Sequence, residues 1–169
     1  MNKQRNTGST PLYIAAQFGH IDIVQTLVTR DDINVNKPNI HGETPLFIAS
    51  EYGHVQITQT LLTKDGIDVN QPRSTDGVTP LWMASSEGHI QIVQTLLTKN
   101  DIDVNKHTKK NQTPLNIASD EGHVEVVRLL LSQPNIHLNQ SGRGNSALGW
   151  ATQNNHTEVV QLLTEAGAQ

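Results

Sequence analysis

The triplet Thr-Pro-Leu begins at Thr10, Thr44, Thr79 and Thr113, and the related Ser146-Ala147-Leu148 follows in the same register. The intervals are 34, 35, 34 and 33 residues. After each triplet the chain repeats one course: a short apolar-periodic segment, a Gly-His or Asn-His pair, and a second apolar-periodic segment. A loop ending in Val-Asn or Leu-Asn completes each of the first four copies, and the fifth copy stops before that loop. Residues 92–99 read almost letter for letter like residues 23–30. A fixed period of this length points to a solenoid, because one unit is too small to bury its own apolar face and must bury it against its neighbours.

Each unit follows from local chemistry. Thr10, Thr44, Thr79 and Thr113 are N-cap residues by type, and the Pro behind each occupies the first helical position, where its missing N–H costs nothing. The helix is expected to stop at Gly19, Gly53, Gly88, Gly122 and Asn155, since Gly and then Asn best tolerate the left-handed cap conformation. A second helix is predicted from Ile21 onward, with Val24, Leu27 and Val28 at i, i+3, i+4 spacing, as are Val127, Leu130 and Leu131. The connecting segments 33–36, 67–70, 102–105 and 136–139 alternate apolar and polar residues, which predicts short hairpin arms, or fingers. Such helices fall short of the roughly 12 to 15 residues that give even marginal stability in isolation, so stacking must supply the rest. The recurrent Ala15, Ala49, Ala84, Ala118 and Ala151 let neighbouring first helices approach closely.

Thr-Pro-Leu, two residues, Ala, then Gly-His, a Val-Val or Ile-Val pair, Leu-Leu and Val-Asn is a pattern that resembles the ankyrin-repeat family over residues 7–169. The resemblance implies one domain, 1–169, with an all-α repeat-solenoid fold. It would comprise five stacked helix-turn-helix units, approximately 7–41, 42–76, 77–110, 111–143 and 144–169, with β-hairpin fingers. It also implies a protein-interaction scaffold that binds a partner protein or peptide on a concave groove of first helices and fingers, without catalysis. The alternative is an architectural spacer, or the capping end of a longer array. The chain departs from the family pattern where His is replaced by Tyr13, Phe47, Trp82, Asn116 and Gly149. Thr157 and Thr164 replace apolar residues of the earlier copies, as expected for a last repeat that faces water.

Composition narrows the function classes. Twelve Lys and Arg against sixteen Asp and Glu leave a net charge of −4, so no nucleic acid or anionic membrane is expected as partner. The absence of cysteine excludes disulfide staples and thiolate chemistry. The opening residues lack the apolar stretch of a signal peptide, and a monomer in the cytoplasm or nucleus, not secreted, is expected. Gly142-Arg143-Gly144-Asn145-Ser146-Ala147 fits the letters of a dinucleotide fingerprint, but it aligns with fingertips and lacks the βαβ context that binding requires. His20, His54, His89, His123 and His156 fall in one repeat column, so stacking at ~10 Å separates them too far to share an ion, and they are expected to bond loop backbone. Ser119, Asp120 and His123 lie on one helix end and cannot converge as a triad. No catalytic residue, cofactor or metal ligand is expected. Asn36, Asn70, Asn105 and Asn139 are expected to bond adjacent finger backbone.

Three groups of residues are candidates for partner contact. Tyr13, Phe47 and Trp82, with Phe18 and Tyr52, gather five of the six aromatics in the first helices of repeats one to three. A close-packed slot would not accept both Trp82 and Gly149 in one column, so these side chains are expected to reach the open groove as anchors. Glu51, Glu87, Asp120 and Glu121 are expected to border that groove. Arg73, Lys106, Lys109, Lys110 and Arg143 lie on neighbouring fingers, where they are expected to face an acidic partner segment or simply to be solvated.

Overall fold

The computed structural model describes residues 8–169, so residues 1–7, including the expected start of the first repeat at residue 7, lie outside the described part. Ten helices form five pairs: α1 (Pro11–Gln17) with α2 (Ile21–Val28), α3 (Pro45–Glu51) with α4 (Val55–Leu62), α5 (Pro80–Ser86) with α6 (Ile90–Leu97), α7 (Pro114–Asp120) with α8 (Val124–Leu131), and α9 (Ala147–Gln153) with α10 (Thr157–Glu165). The predicted boundaries have the predicted causes. The hydroxyls of Thr10, Thr44, Thr79, Thr113 and Ser146 each accept the backbone N–H three residues on, which satisfies an otherwise orphaned donor of the first turn.

First helices pack on first helices, α1 on α3 and so on to α9, and second helices stack likewise from α2 to α10. The result is a two-layer, all-helical solenoid. Leu12, Leu46, Leu81 and Leu115 are wholly buried, and the Ala column is at most 3 % exposed, which confirms its role as the small-residue seam between repeats. In the second helices Ile57, Ile92, Val126 and Val159 are at most 2 % exposed because each fills the gap against the preceding repeat. Their counterpart in α2, Ile23, is 50 % exposed, since no preceding repeat stands among the described residues.

Polar side chains stitch the repeats together at two heights. Nε2 of His54, His89, His123 and His156 lies 2.9–3.2 Å from the carbonyl of Gln17, Glu51, Ser86 and Asp120, so each turn histidine reaches the end of the first helix one repeat back. The glycine there is needed twice over. Gly122, for example, has φ +76°, and a Cβ on it would sit 2.6 Å from the His156 ring. At the other height, the Nδ2 of Asn36, Asn70 and Asn105 donates to the carbonyls of Gly66, Asp101 and Asn135 at 2.6–2.7 Å. The Oδ1 of the same residues accepts the N–H of Asp68, Asp103 and His137. Each amide thus clamps the next loop with both of its ends.

The expected β-hairpin fingers form no strands or ladders among the described residues. Among the described residues the only bridge is the isolated pair Gly142–Asn145. The apolar and polar alternation that suggested strands has another origin: Val35, Val69 and Val104 bury their side chains, while the backbone N–H groups of Asn36, Asn70 and Asn105 are taken by the side chains of Asn34, Asp68 and Asp103. Donors held in such local turns are lost to a ladder. The first three tips keep a turn and one cross-arm bond, as between Arg73 N–H and the Val78 carbonyl at 2.7 Å, and the fourth exchanges two bonds between Gly142 and Asn145.

Candidate functional site

The aromatic column does not open onto a groove as a whole. Tyr13 is 4 % exposed and Phe47 1 %, and Trp82 is half-buried against Phe47, Val78 and Met83. The expectation that all three reach solvent is therefore corrected: the column is a packed slot whose neighbours adjust to its contents. At Gly149 the space for a side chain is filled by Asn145, whose amide would collide with any Cβ there. Asn116 is buried by closing a capping box with Thr113 and donating to the Gln140 carbonyl at 3.0 Å.

Tyr13 and Phe47 instead roof a polar network between the first three repeats. The Tyr13 hydroxyl donates to Glu43 Oε2 at 2.9 Å, Asn39 Nδ2 donates to the same oxygen at 2.8 Å, and Arg73 reaches Glu43 Oε1 at 3.3 Å. Arg73 also holds Asp76 through two nitrogens, at 2.7 and 3.1 Å, and lies 5.0 Å from the centre of the Phe47 ring. Burial alone would push the Glu43 carboxyl up, but hydrogen bonds from Asn39, Tyr13 and Arg73 together outweigh it and hold the group below its ordinary range. Burial and then the bond to Glu43 push the Tyr13 phenol well up. Arg73 is thus occupied within the fold and is not free to meet an acidic partner. Sequence reasoning missed Glu43 and Asp76 as its partners, because an ion pair between fingers leaves no periodic trace.

Phe18 and Tyr52 are the exposed aromatics, 64 % and 55 % open at the C-terminal ends of α1 and α3. Each ring lies beside the turn histidine two residues on, with centroids 6.3 and 6.2 Å apart. Glu87 and Glu121 occupy the same cap position in α5 and α7 and are exposed. Glu51 is half-buried, and burial, then the charge of Glu43, push its carboxyl up. Asp120 accepts the Asn154 amide on its carboxylate at 2.7 Å.

Trp82 of α5 and the finger residues Lys109, Lys110 and Arg143 come together around one cleft of about 360 Å³, with Thr75, Val78 and Gln112. The fingers bond edge to edge here: Lys109 N–H donates to the Asp76 carbonyl at 2.8 Å, and Arg143 N–H to the Lys110 carbonyl at 3.0 Å. The Gly-Arg-Gly segment is therefore a fingertip, with no strand before it. Ser119 is wholly buried, while His123 is engaged with the Ser86 carbonyl, so the letters of a hydrolase triad serve separate packing roles.

The family model for ankyrin repeats (3 copies) matches residues 1–73, 35–108 and 81–169, which together span the whole chain. No curated protein matches the chain closely enough for comparison. Ankyrin repeats are generally protein-protein interaction modules. With the N-caps, the glycine turns, the stacked helix layers and the family match in agreement, the chain belongs to the ankyrin-repeat family.

Proposed function

We propose that this chain is a non-enzymatic scaffold that binds a partner protein or peptide along the groove bordered by the first-helix ends and the fingers. The observation that carries the reading is the exposure of Phe18 and Tyr52, 64 % and 55 %, on a chain whose other first-helix aromatics are buried or half-buried. A large aromatic left mostly in water at a repeat position where later copies place Glu87 and Glu121 gains little for folding beyond its contact with the turn histidine, and such side chains are the usual anchors of an interface. A plain spacer has no use for them. Trp82 and the cleft beside it extend the surface toward repeats four and five, while Tyr13 and Phe47 support it from beneath. Photo-crosslinking tests this. With p-benzoyl-phenylalanine in place of Tyr52 the full chain should capture a discrete partner in its host cells, whereas the same group in place of Gln59, exposed on α4, should capture none. Capture from Gln59 alone would put the interface on the opposite face.

A further inference from the structure

We infer that the cleft between the fingers of repeats three to five is a carboxylate-selective pocket, which takes an acidic side chain, flanked by an apolar one, from an extended partner segment. The inference rests on the protein-binding reading above and names the partner chemistry at one part of that surface. Three cations border the cleft. Lys109 is steered toward the neighbouring finger, its Nζ donating to the carbonyls of Ser74 and Thr75 at 2.8 and 3.1 Å. Lys110 and Arg143 are exposed, and among the described residues neither side chain has a hydrogen bond or ion pair. Their backbones are bonded to each other, so both charges are delivered by one rigid fingertip pair. The one acid at the cleft, Asp76, is paired with Arg73 and accepts the Val78 N–H as well, so three cations face one engaged carboxylate. The local field is therefore positive although the chain carries −4 overall.

The lining also holds donors without acceptors. Gln112 is 3 % exposed with Nε2 unpartnered, and the Trp82 indole N–H beside it is buried and unpartnered too. Buried polar groups are nearly always paired in a folded protein, so two unpartnered donors on residues that line one cleft favour an acceptor as its occupant, reached by a small shift of the two side chains. An Arg and a Lys over two neutral donors suit a carboxylate, which accepts from both kinds at once. The Trp82 face and Val78 supply an apolar wall for the neighbouring side chain. A nucleic-acid backbone is the poorer occupant: it needs a long cationic track, and beyond this cleft it would meet Glu87, Asp120 and Glu121.

The test is a titration of the ¹⁵N-labelled full chain with three probes: the capped peptide Gly-Ser-Leu-Glu-Leu-Glu-Ser-Gly, its twin with Gln for both Glu, and inorganic phosphate. The Glu peptide should shift the Trp82 indole signal and the Lys110 and Arg143 amides, while the amides of α10 stay in place. In the K110A/R143A variant, which removes only exposed side chains, its affinity should be about tenfold weaker. Equal binding of the Gln twin would reduce the cleft to a plain apolar pocket, and stronger shifts with phosphate would make it a phosphate site; either overturns the inference, as does a silent titration. Partner capture through Tyr52 is independent of these residues, so retained capture beside a silent titration removes the carboxylate pocket alone.

Discussion

Thr58 offers a direct probe of how the repeats are packed. It occupies the column of Val24, Val93, Val127 and Val160, is wholly buried in α4, and its Oγ1 has no hydrogen-bond partner. A hydroxyl buried without a partner costs about 1–3 kcal/mol in proteins. Thr58→Val replaces that hydroxyl with a methyl of nearly the same shape in a slot that all four other repeats fill with buried or half-buried valine, and the two residues have similar helix propensities. We therefore expect a gain of about 1–2 kcal/mol, which in a chain of this size raises the melting midpoint by roughly 2–8 °C. Thr58→Ser keeps the hydroxyl and deletes the methyl, and should lose about 1 kcal/mol. Calorimetry and urea unfolding measure both. A Thr58→Val chain that melts at or below the parent would show that the hydroxyl is satisfied, and the account of this column would be wrong.

Ala118→Leu overpacks the seam between α5, α7 and α9 and should cost about 1–3 kcal/mol; an unchanged melting curve would contradict the buried Ala column. Glu43, whose carboxyl is held below its ordinary value of 4.5, contributes stability that is present above that pH and lost as the pH falls through the folded value. Glu43→Gln should thus cost about 1 kcal/mol at pH 7, given its partial exposure, and the gap to the parent should narrow as the pH falls below 4.5; a gap that does not change with pH would exclude the ionic network as its source. Amides of α1 and α2 should exchange with solvent faster than those of α5 and α6, which are packed between repeats on both sides, and the reverse order in a hydrogen-exchange experiment would overturn the nearest-neighbour picture.

The helix pairs were legible because their signals are local. A Thr-Pro start and a Gly stop depend on a few adjacent residues, and repetition in five copies removes ambiguity. The turn histidines and finger asparagines were also legible, since column position fixes what they can reach. Two inferences failed where the outcome depends on particular side-chain contacts that apolar periodicity does not encode. The size range of the Tyr13 column suggested an open groove, but Asn145 fills the place left at Gly149, and the Tyr13 hydroxyl is drawn inward by Glu43. The alternation in the fingers suggested strands, but Asn34, Asp68 and Asp103 divert the backbone donors into local turns. The cleft at Trp82 was half visible: its cations stood out by charge, whereas Gln112 gave no sign because its burial comes from the neighbouring finger.

The partner-binding claim is tested most directly by isothermal titration of the Tyr52-crosslinked partner, once isolated, against the parent chain and the Phe18→Ala/Tyr52→Ala variant, with melting curves of both. Interface anchors of this kind are each worth about 2 kcal/mol or more, so the loss of even one implies affinity at least roughly thirtyfold weaker, with the melting midpoint nearly unmoved. Unchanged affinity in the double variant would contradict it.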